Sequence, residues 1–347
     1  MNVLLLASHG IAEYDDVRMF SRLGYDVFCP GGYADPKHPG ETLRPAIPEA
    51  PDHPDLRVLC DKQREKHAAE PADWAIDWAK ADLHPELVDW ADVIICHHFP
   101  ERWIAAQWAR IKHKRVIWRT CGQSNPQLEQ LMGLFRRDGL QIVRYSPNET
   151  AFGPDFAGED ALIRFGKYPD DYGPWAGDGL WVGNVTQHML ERGDATGLSF
   201  WLAATRDLPA RPAGPGSERL PGGVGALDYD AMREYLRHCR VYLYTGTFPA
   251  SYTLGLIEAL MTGVPVMSIT RQTFGTPLFE GDALASWIID TPQHAREVLP
   301  RFLDKDLEQA LNESRHIRQA AIDTFGMDAV GPLWVQFLGA PAMAVAA

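Results

Sequence analysis

The sequence predicts two doubly wound α/β domains, and three observations lead to this fold class. The chain has 347 residues, 46% of them apolar and 23% charged, which is more than one ordinary hydrophobic core takes up. Residues 2–28 follow a strand–helix–strand pattern. Residues 241–268 repeat it as a strand, a polar loop, a helix, a glycine stop and a second strand. Two such units, far apart in the chain, indicate two parallel sheets with helices on their faces.

The N-terminal half alternates apolar strands with helices. Because short apolar runs recur between turn residues, strands are expected at 2–7, 25–28, 56–60, 92–96, 115–118, 141–145 and 161–166. Helices are expected at 15–23, around Trp74 and Trp78, around Trp103 and Trp108, and at 126–137. Seven prolines stand between Pro30 and Pro54, so that segment is expected to be an irregular surface excursion.

The C-terminal half begins with a polar stretch at 167–175 that contains glycine and proline and is expected to be a linker. The strands expected after it are 180–183, 241–244, 264–267 and a short element at 287–290. The expected helices are 197–205, 230–239, 253–261, two between 292 and 325, and 328–338. Residues 209–225 and 270–275 are expected to be loops, and 339–347 a frayed end.

Composition and motifs argue against several classes of protein. No G-x-G-x-x-G or G-x-x-x-x-G-K-[S/T] motif occurs, so the chain has neither a dinucleotide fingerprint nor a P-loop. The five cysteines are scattered without C-x-x-C spacing, which argues against a disulfide framework and a zinc site. The chain opens directly on an apolar strand, and no apolar run approaches the roughly 18 residues of a membrane span. A cytoplasmic protein without a membrane span is therefore expected.

The net charge of −13 is unevenly distributed. Residues 101–150 hold nine Lys or Arg against four Asp or Glu, a local charge of +5. A basic segment in an acidic chain is suited to steering an anionic ligand. Residues 112–115 also suit a plain polar turn before the next strand, and both interpretations stay open.

Residues 241–268 are the most informative stretch. Their loop leaves the end of a strand and enters a helix, and such loops bind anions because the first N–H groups of the helix are unpaired. Glu258 lies one to two turns into that helix, where its carboxylate is placed to accept hydrogen bonds from sugar hydroxyls. A solvated Glu258 in an ordinary α/β unit is the alternative.

Residues 258–266, Glu-Ala-Leu-Met-Thr-Gly-Val-Pro-Val, resemble the donor-site signature of GT-B glycosyltransferases. The resemblance is to the large retaining nucleotide-sugar group (glycosyl transferases group 1, family 4-like), which carries Glu-x7-Glu followed by Ala-(small)-Gly-x-Pro-Val. Ala250 stands where the first glutamate is usual, so only the ribose-binding carboxylate carries over, to Glu258. The motif match is confined to 241–268, whereas the order of elements agrees over the whole chain.

The resemblance implies the GT-B fold, in which two Rossmann-like domains face each other across a cleft. It implies an acceptor domain at 1–168, a donor domain at 169–326, and a helix with a frayed tail at 327–347 that crosses back to the N-terminal domain. It further implies no metal ion and no cofactor besides the co-substrate, a UDP- or GDP-sugar. Asp228-Tyr-Asp230 is accordingly expected to cap a helix. Monomer and homodimer both stay open.

The resemblance also assigns candidate site residues. Those on the donor side are Gly183, Asn184, Thr186, Thr245, Ser251, Tyr252, Thr253, Leu254 and Glu258. Those on the acceptor side follow strand ends, where they suit hydrogen bonding or acid–base work: His9, His97, His98 and Arg119. Because successive side chains of a strand point to opposite faces, at most one of the adjacent histidines is expected to face a ligand. A structural role for the histidines is the alternative.

A diphosphate leaving group needs positive charge or hydrogen-bond donors. The group usually supplies an Arg and a Lys after the first strand of the donor domain, but residues 183–188 read Gly-Asn-Val-Thr-Gln-His. A cation from elsewhere substitutes, or the amides of 251–254 carry the charge, or the chain is an inactive relative. The cations considered are Arg164, Lys167, Arg192 and Arg271.

The sequence therefore predicts an enzyme, a glycosyltransferase that moves a hexose or pentose from a nucleotide diphosphate sugar to an acceptor hydroxyl, with retention. The acceptor is open. The basic segment 102–144 is interleaved with tryptophans and suits a hydroxymethylated base in DNA, against a small-molecule, lipid-linked or polysaccharide acceptor. The alternatives are a sugar-nucleotide epimerase or phosphorylase-like enzyme on the same fold, and a non-catalytic nucleotide- or glycan-binding partner.

Overall fold

The computed structural model describes residues 1–6, 9–30, 44–45, 47, 50–67, 83–98, 101–122, 124–269 and 288–341. The chain forms two compact units: unit 1 comprises Met1–Gly166 with Val330–Ala347, and unit 2 comprises Lys167–Ala329. Most of the proline-rich excursion, the helical region around Trp74 and Trp78, and the loop at 270–275 lie outside the described residues.

Unit 1 contains a six-stranded sheet in the order β2-β1-β3-β4-β5-β6, with every pair parallel. Its strands are β1 (Asn2–Leu6), β2 (Asp26–Phe28), β3 (Val93–His97), β4 (Arg115–Arg119), β5 (Gln141–Arg144) and β6 (Ala161–Leu162). Its helices are α1 (Gly10–Arg22), α2 (Pro54–His67), α3 (Pro85–Trp90), α4 (Glu101–Ile111) and α5 (Pro126–Arg137). The central strands are buried almost throughout, as strands of a parallel sheet are when helices cover both faces.

Unit 2 contains a five-stranded parallel sheet in the order β11-β10-β9-β7-β8. Its strands are β7 (Gly179–Val185), β8 (Ala210–Ala213), β9 (Cys239–Tyr244), β10 (Val266–Ile269) and β11 (Ile288–Ile289). Its helices are α6 (Met189–Arg192), α7 (Leu198–Ala204), α8 (Tyr229–His238), α9 (Leu254–Thr262), α10 (Pro292–Leu303) and α11 (Leu307–Phe325). The pattern expected over 241–268 is confirmed as β9, α9 and β10, with Gly263 in the left-handed conformation at the end of α9.

Two expectations from the sequence were wrong. The strand expected at 56–60 is part of helix α2, which begins at Pro54 and turns Leu56 and Leu59, three residues apart, toward the core. Strand β8 falls in a stretch that was expected to be a loop. It is an edge strand, and an edge position tolerates Pro212, which has no N–H to donate to a neighbour.

The last helix, α12 (Met327–Leu338), ends against unit 1. Trp334 is fully buried, with its ring 5.1 Å from that of Phe20 on α1. The guanidinium of Arg115 donates to the Phe337 and Leu338 carbonyl oxygens, at 2.7 and 3.0 Å. These contacts place the end of the described chain in unit 1. None of the helices in the described ranges is long and apolar enough to cross a membrane.

Candidate functional site

The strand order of each sheet reverses at one point, and doubly wound proteins bind ligands outside the strand ends at that point. In unit 2 the first strand along the chain, β7, lies between β8 and β9, so the reversal falls between β7 and β9. In unit 1 the reversal falls between β1 and β3. Asn184 and Thr245 lie at the first point, and His9, His97 and His98 at the second.

Asn184 and Thr245 meet at the reversal point of unit 2. The Nδ2 atom of Asn184 donates to the Leu243 carbonyl oxygen at 2.8 Å and lies 3.3 Å from Thr245 Oγ1. The Oδ1 atom of Asn184 is buried with no hydrogen-bond partner among the described residues, which is uncommon for a buried carbonyl oxygen. That oxygen is an unsatisfied acceptor near the ends of the paired strands β7 and β9.

The turn at 193–197 is tied to the loop that follows β9. The Phe248 N–H donates to the Ala195 carbonyl oxygen at 2.7 Å. A Cβ on Gly197 would lie 2.9 Å from the Cβ of Thr245, and Gly197 has a φ of 72°. Both the space and the backbone conformation require glycine there. The turn at 193–197 and the loop that follows β9 are therefore held close together.

Helix α9 begins close to the end of β7. A Cβ on Gly255 would lie 3.5 Å from the Val185 carbonyl oxygen. Thr253, the half-buried N-cap residue, makes no side-chain capping hydrogen bond, although its carbonyl oxygen accepts from the Leu256 N–H at 3.2 Å. A helix start of this kind at the edge where strands end is suited to an anion.

Gly183 has a steric role. A Cβ there would lie 2.5 Å from Cys239 Sγ and 2.8 Å from the Tyr235 hydroxyl oxygen. That hydroxyl accepts a hydrogen bond from the Asn184 N–H at 3.0 Å. Glycine at 183 therefore lets β7 lie close to β9 and α8, a reason that does not involve a ligand.

Most side chains of the loop before α9 are buried. Ser251, Tyr252 and Leu254 are 3%, 2% and 6% exposed. The Tyr252 ring packs edge-on against Phe325 of α11, with 5.7 Å between ring centroids. The Tyr252 side chain thus belongs to the core of unit 2, and any donor contact of this residue falls to its backbone.

Glu258 is buried and ion-paired. Only 2% of it is exposed, and its Oε1 atom lies 2.8 Å from Lys167 Nζ and 3.3 Å from the Tyr172 hydroxyl oxygen. The alternative of an ordinary solvated Glu258 is therefore wrong. Lys167, one of the four cations considered for a diphosphate, neutralises Glu258 instead.

Arg192 is an exposed cation that follows β7 closely along the chain. Its guanidinium lies 3.4 Å from the Gln187 carbonyl oxygen, in the loop that follows β7 and contains half-buried Thr186. Arg164 belongs to unit 1, and Arg271 lies outside the described residues.

In unit 1, His97 and Arg119 surround a buried aspartate. The Nε2 atom of His97 lies 3.0 Å from Asp16 Oδ2, and Arg119 is ion-paired with the same oxygen. The Arg119 guanidinium lies over the rings of Phe165 and Trp334, at 4.8 and 5.1 Å from their centroids. Arg119 has no exposed surface, so the expectation that it contacts an acceptor does not fit its position. It is needed in the interior to neutralise Asp16 of α1.

The charge states in this cluster follow from burial and pairing. Burial alone would raise the pKa of Asp16, but Arg119 and His97 outweigh it and hold the pKa below its ordinary value. Burial lowers the pKa of His97, with only partial compensation by Asp16. His97 is therefore neutral and in contact with Asp16, as the structural alternative expected.

His98 and His9 differ in what their rings can do. His98 has a φ of 64°, and its Nδ1 lies 2.7 Å from the Cys121 carbonyl oxygen. Burial lowers the pKa of His98 to about 4, so near neutral pH the ring is neutral with its proton on Nδ1. The lone pair is then on Nε2, which is the form that a general base needs. His9 caps α1 instead, its Nδ1 accepting from the Ala12 N–H at 3.5 Å.

The cysteines and the Asp-x-Asp sequence are structural. All five cysteines are buried and unpaired with each other, and burial raises the pKa of Cys121 to about 12. Cys121 is thus not a nucleophile near neutral pH. Asp228 caps α8, as expected, by accepting from the Ala231 N–H at 2.8 Å. No cluster of three metal-ligating side chains occurs within the described residues.

The basic segment 102–144 is not a continuous cationic surface. Arg119 and Arg144 have no exposed surface. Arg115 holds the end of α12, Arg136 is paired with Asp160, and Lys112 with Asp138. Much of the local charge is therefore neutralised within unit 1.

Comparison with known proteins bears on the fold. No family model and no curated protein matches this sequence. HepE of Anabaena, solved with UDP and glucose, is similar over 98% of this chain and 100% of its own, with a TM-score of 0.66 and 13% identity. A glycosyltransferase from Rickettsia africae ESF-5 is similar over 98% of this chain and 99% of its own, with a TM-score of 0.62 and 11% identity. A mutant O-GlcNAc transferase of Thermobaculum terrenum is similar over 97% of this chain and 66% of its own, with a TM-score of 0.55 and 14% identity. These likenesses establish the fold.

Proposed function

We propose, from the premise that this chain has the GT-B fold, that it is a glycosyltransferase that binds a nucleotide diphosphate sugar on unit 2 and transfers the sugar to an acceptor hydroxyl. The observation that carries the proposal is the meeting of Asn184 and Thr245 at the reversal point of unit 2, close to the start of α9, which has no side-chain cap from Thr253. The UDP-glucose complex of HepE, a protein of the same fold, supports the class of donor.

Each part of the donor has a group suited to it. The N–H groups at the start of α9 and the exposed Arg192 suit the diphosphate, whose charge grows when the sugar leaves. By the resemblance we assign the ribose hydroxyls to Glu258 and a hydroxyl of the sugar to the Oδ1 atom of Asn184, two side chains that are buried in this structure. His98 is an acceptor-side candidate whose neutral ring has its lone pair on Nε2. By resemblance to the retaining group, we expect a UDP- or GDP-sugar, retention at the anomeric carbon and no metal requirement.

A panel of nucleotides tests the donor site. We expect calorimetry to detect binding of at least one of UDP, GDP and their sugars to the wild-type protein. Glu258→Gln, which keeps the shape of the side chain and removes its charge, should weaken that binding roughly 10- to 100-fold, because hydrogen bonds to a charged group are lost. Exposed Glu308→Ala is the matched control and should bind like wild type. Absence of binding to every member of the panel would sink the donor-site proposal.

Arg192 offers a separate test of the diphosphate contact. We expect Arg192→Gln to weaken UDP binding roughly tenfold or more while leaving uridine binding unchanged, since only the phosphates carry charge. The difference should shrink as salt is added. The Arg206 side chain is 78% exposed, and Arg206→Gln is the control that should leave the binding of both ligands unchanged. An equal loss of UDP and uridine binding would show that Arg192 acts on the fold of the loop and not on phosphate.

The acceptor and the alternatives need their own measurements. A DNA acceptor predicts salt-sensitive retention on DNA that Lys112→Glu and Lys114→Glu weaken together; Arg115 is unsuitable because it anchors α12. An epimerase or phosphorylase-like enzyme would convert its substrate without an acceptor hydroxyl. A non-catalytic partner would bind a nucleotide sugar without turning it over, even by slow hydrolysis.

A further inference from the structure

The sequence motif around Glu258 does not account for its ion pair with Lys167. The side chains of Lys167 and Glu258 are 1% and 3% exposed, and their charged atoms lie 2.8 Å apart. The Tyr172 hydroxyl lies 3.3 Å from the same Oε1 atom. A carboxylate this deep is stable as an anion only with such partners, because little water reaches it.

Lys167 is held in place by its backbone. Its N–H donates to the Phe325 carbonyl oxygen at 2.8 Å, and its carbonyl oxygen accepts from the Met327 N–H at 3.1 Å. These bonds pair Lys167 with Gly326 in a parallel bridge. The ammonium group therefore reaches Glu258 from a fixed position.

Other charged or titratable groups near Glu258 have partners of their own. The Tyr242 hydroxyl of β9 accepts from the Val185 N–H at 3.0 Å, and burial raises its pKa, so it stays neutral. Arg318 of α11 donates to the carbonyl oxygens of Pro169 and Met261. In the part of the chain that the structure describes, Lys167 is in direct contact with the Glu258 carboxylate, whereas Arg318 is bonded to backbone carbonyl oxygens.

We infer that Lys167 is a positioning residue for donor recognition: it keeps Glu258 ionised and, with Tyr172, oriented to accept hydrogen bonds from the ribose hydroxyls of the donor nucleotide. The inference rests on the proposed function, in which Glu258 binds that ribose. An ionised carboxylate only accepts hydrogen bonds, whereas a protonated one presents a donor of its own. Lys167 therefore makes selection of ribo- over 2′-deoxyribonucleotides insensitive to pH.

The test compares the ribose preference of wild type and Lys167→Met by calorimetry between pH 6 and pH 8.5. The probes are UDP against dUDP, or GDP against dGDP if the wild type binds guanine. We expect the wild type to prefer the ribonucleotide roughly tenfold at every pH, the difference made by one hydrogen bond to a charged group. Lys167→Met should lose this preference at low pH and regain part of it as pH rises and Glu258 ionises. Lys167→Arg should restore the flat profile.

Two further variants keep the test decisive if Lys167→Met unfolds. Tyr172→Phe removes one hydroxyl and should lower the ribose preference about threefold, as expected for one weak hydrogen bond. The pair Lys167→Met with Glu258→Gln is neutral and should bind without ribose preference at any pH. If Lys167→Met is folded and keeps the wild-type ribose preference at every pH, the inference is overturned alone. If Lys167→Met is unfolded, the same conclusion follows when Tyr172→Phe keeps the full ribose preference of wild type. A wild type that binds no nucleoside diphosphate would overturn the proposed function with it.

Discussion

Replacing Arg144 by methionine is expected to lower the free energy of unfolding of unit 1 by about 3–5 kcal/mol, the usual cost of breaking a buried ion pair from one side. Arg144 has no exposed surface and binds both carboxylate oxygens of Glu129, at 2.8 and 2.6 Å. Its Nε atom donates to the Gly158 carbonyl oxygen at 3.0 Å, and its guanidinium lies over the rings of Trp118 and Phe156. Methionine fills part of the space but leaves Glu129 charged and buried.

Urea unfolding of the full-length protein measures this loss. Arg137→Met, on the exposed side of the end of α5, is the matched control and should change the free energy of unfolding by no more than about 0.5 kcal/mol. A loss below about 1 kcal/mol for Arg144→Met would mean that Glu129 finds water or another partner when Arg144 is removed.

Hydrogen bonds from this network and from Tyr145 also hold Thr120, Gly122 and Ser124, which follow β4 in the proposed acceptor unit. The Ser124 hydroxyl donates to Glu129 at 2.6 Å, and the Thr120 hydroxyl donates to Glu149 at 2.9 Å. The Tyr145 hydroxyl donates to the Gly122 carbonyl oxygen at 3.3 Å. These three residues are therefore held by the charged network or by Tyr145, and a change in the charge of Glu129 or Glu149 should disturb Ser124 or Thr120.

The fold could be predicted from the sequence because its signals are local. Buried parallel strands such as 93–97 and 239–244 appear as short apolar runs, and Gly263 ends α9 in the conformation that glycine favours. Where local signals conflict, as in α2 and β8, the prediction was wrong. Helix α2 begins at a proline, and strand β8 contains a proline, a residue that argues against a strand in a sequence-based prediction.

The candidate site could be predicted only in part, because its charges are paired over long distances in sequence. Lys167 and Glu258 are 91 residues apart, and Arg119 and Asp16 are 103 apart. One sequence contains no signal that joins such partners. Asp16 was missed altogether, although an aspartate on the buried face of a helix is a sign of a buried cation nearby. Asn184 was expected at the donor side, but the sequence does not reveal that its Oδ1 atom lacks a partner.

Glu149 should lower the free energy of unfolding of unit 1 as pH rises from about 4.5 to about 7. Burial raises the pKa of Glu149 to about 7, despite the opposing effects of Arg144 and the Thr120 hydroxyl. In the unfolded chain the carboxyl group titrates near its ordinary value of 4.5, so between these two values the folded state holds the extra proton. The stability that Glu149 contributes is thus complete below pH 4.5 and is lost as pH rises to 7, about 3 kcal/mol in all.

Glu149→Gln isolates this effect, because glutamine keeps an acceptor oxygen and does not titrate. The groups that face Glu149 are Arg144 of β5, Glu129 of α5, and the Thr120 hydroxyl and Cys121 thiol of the loop. From pH 5 to pH 8 we expect the variant to gain about 2.5 kcal/mol relative to wild type in urea unfolding. Glu159 is exposed, and the free energy of unfolding of the control variant Glu159→Gln should change with pH in parallel with that of wild type. Parallel curves for Glu149→Gln and wild type would instead mean that Glu149 is already ionised at pH 5, with Arg144 neutralising both carboxylates.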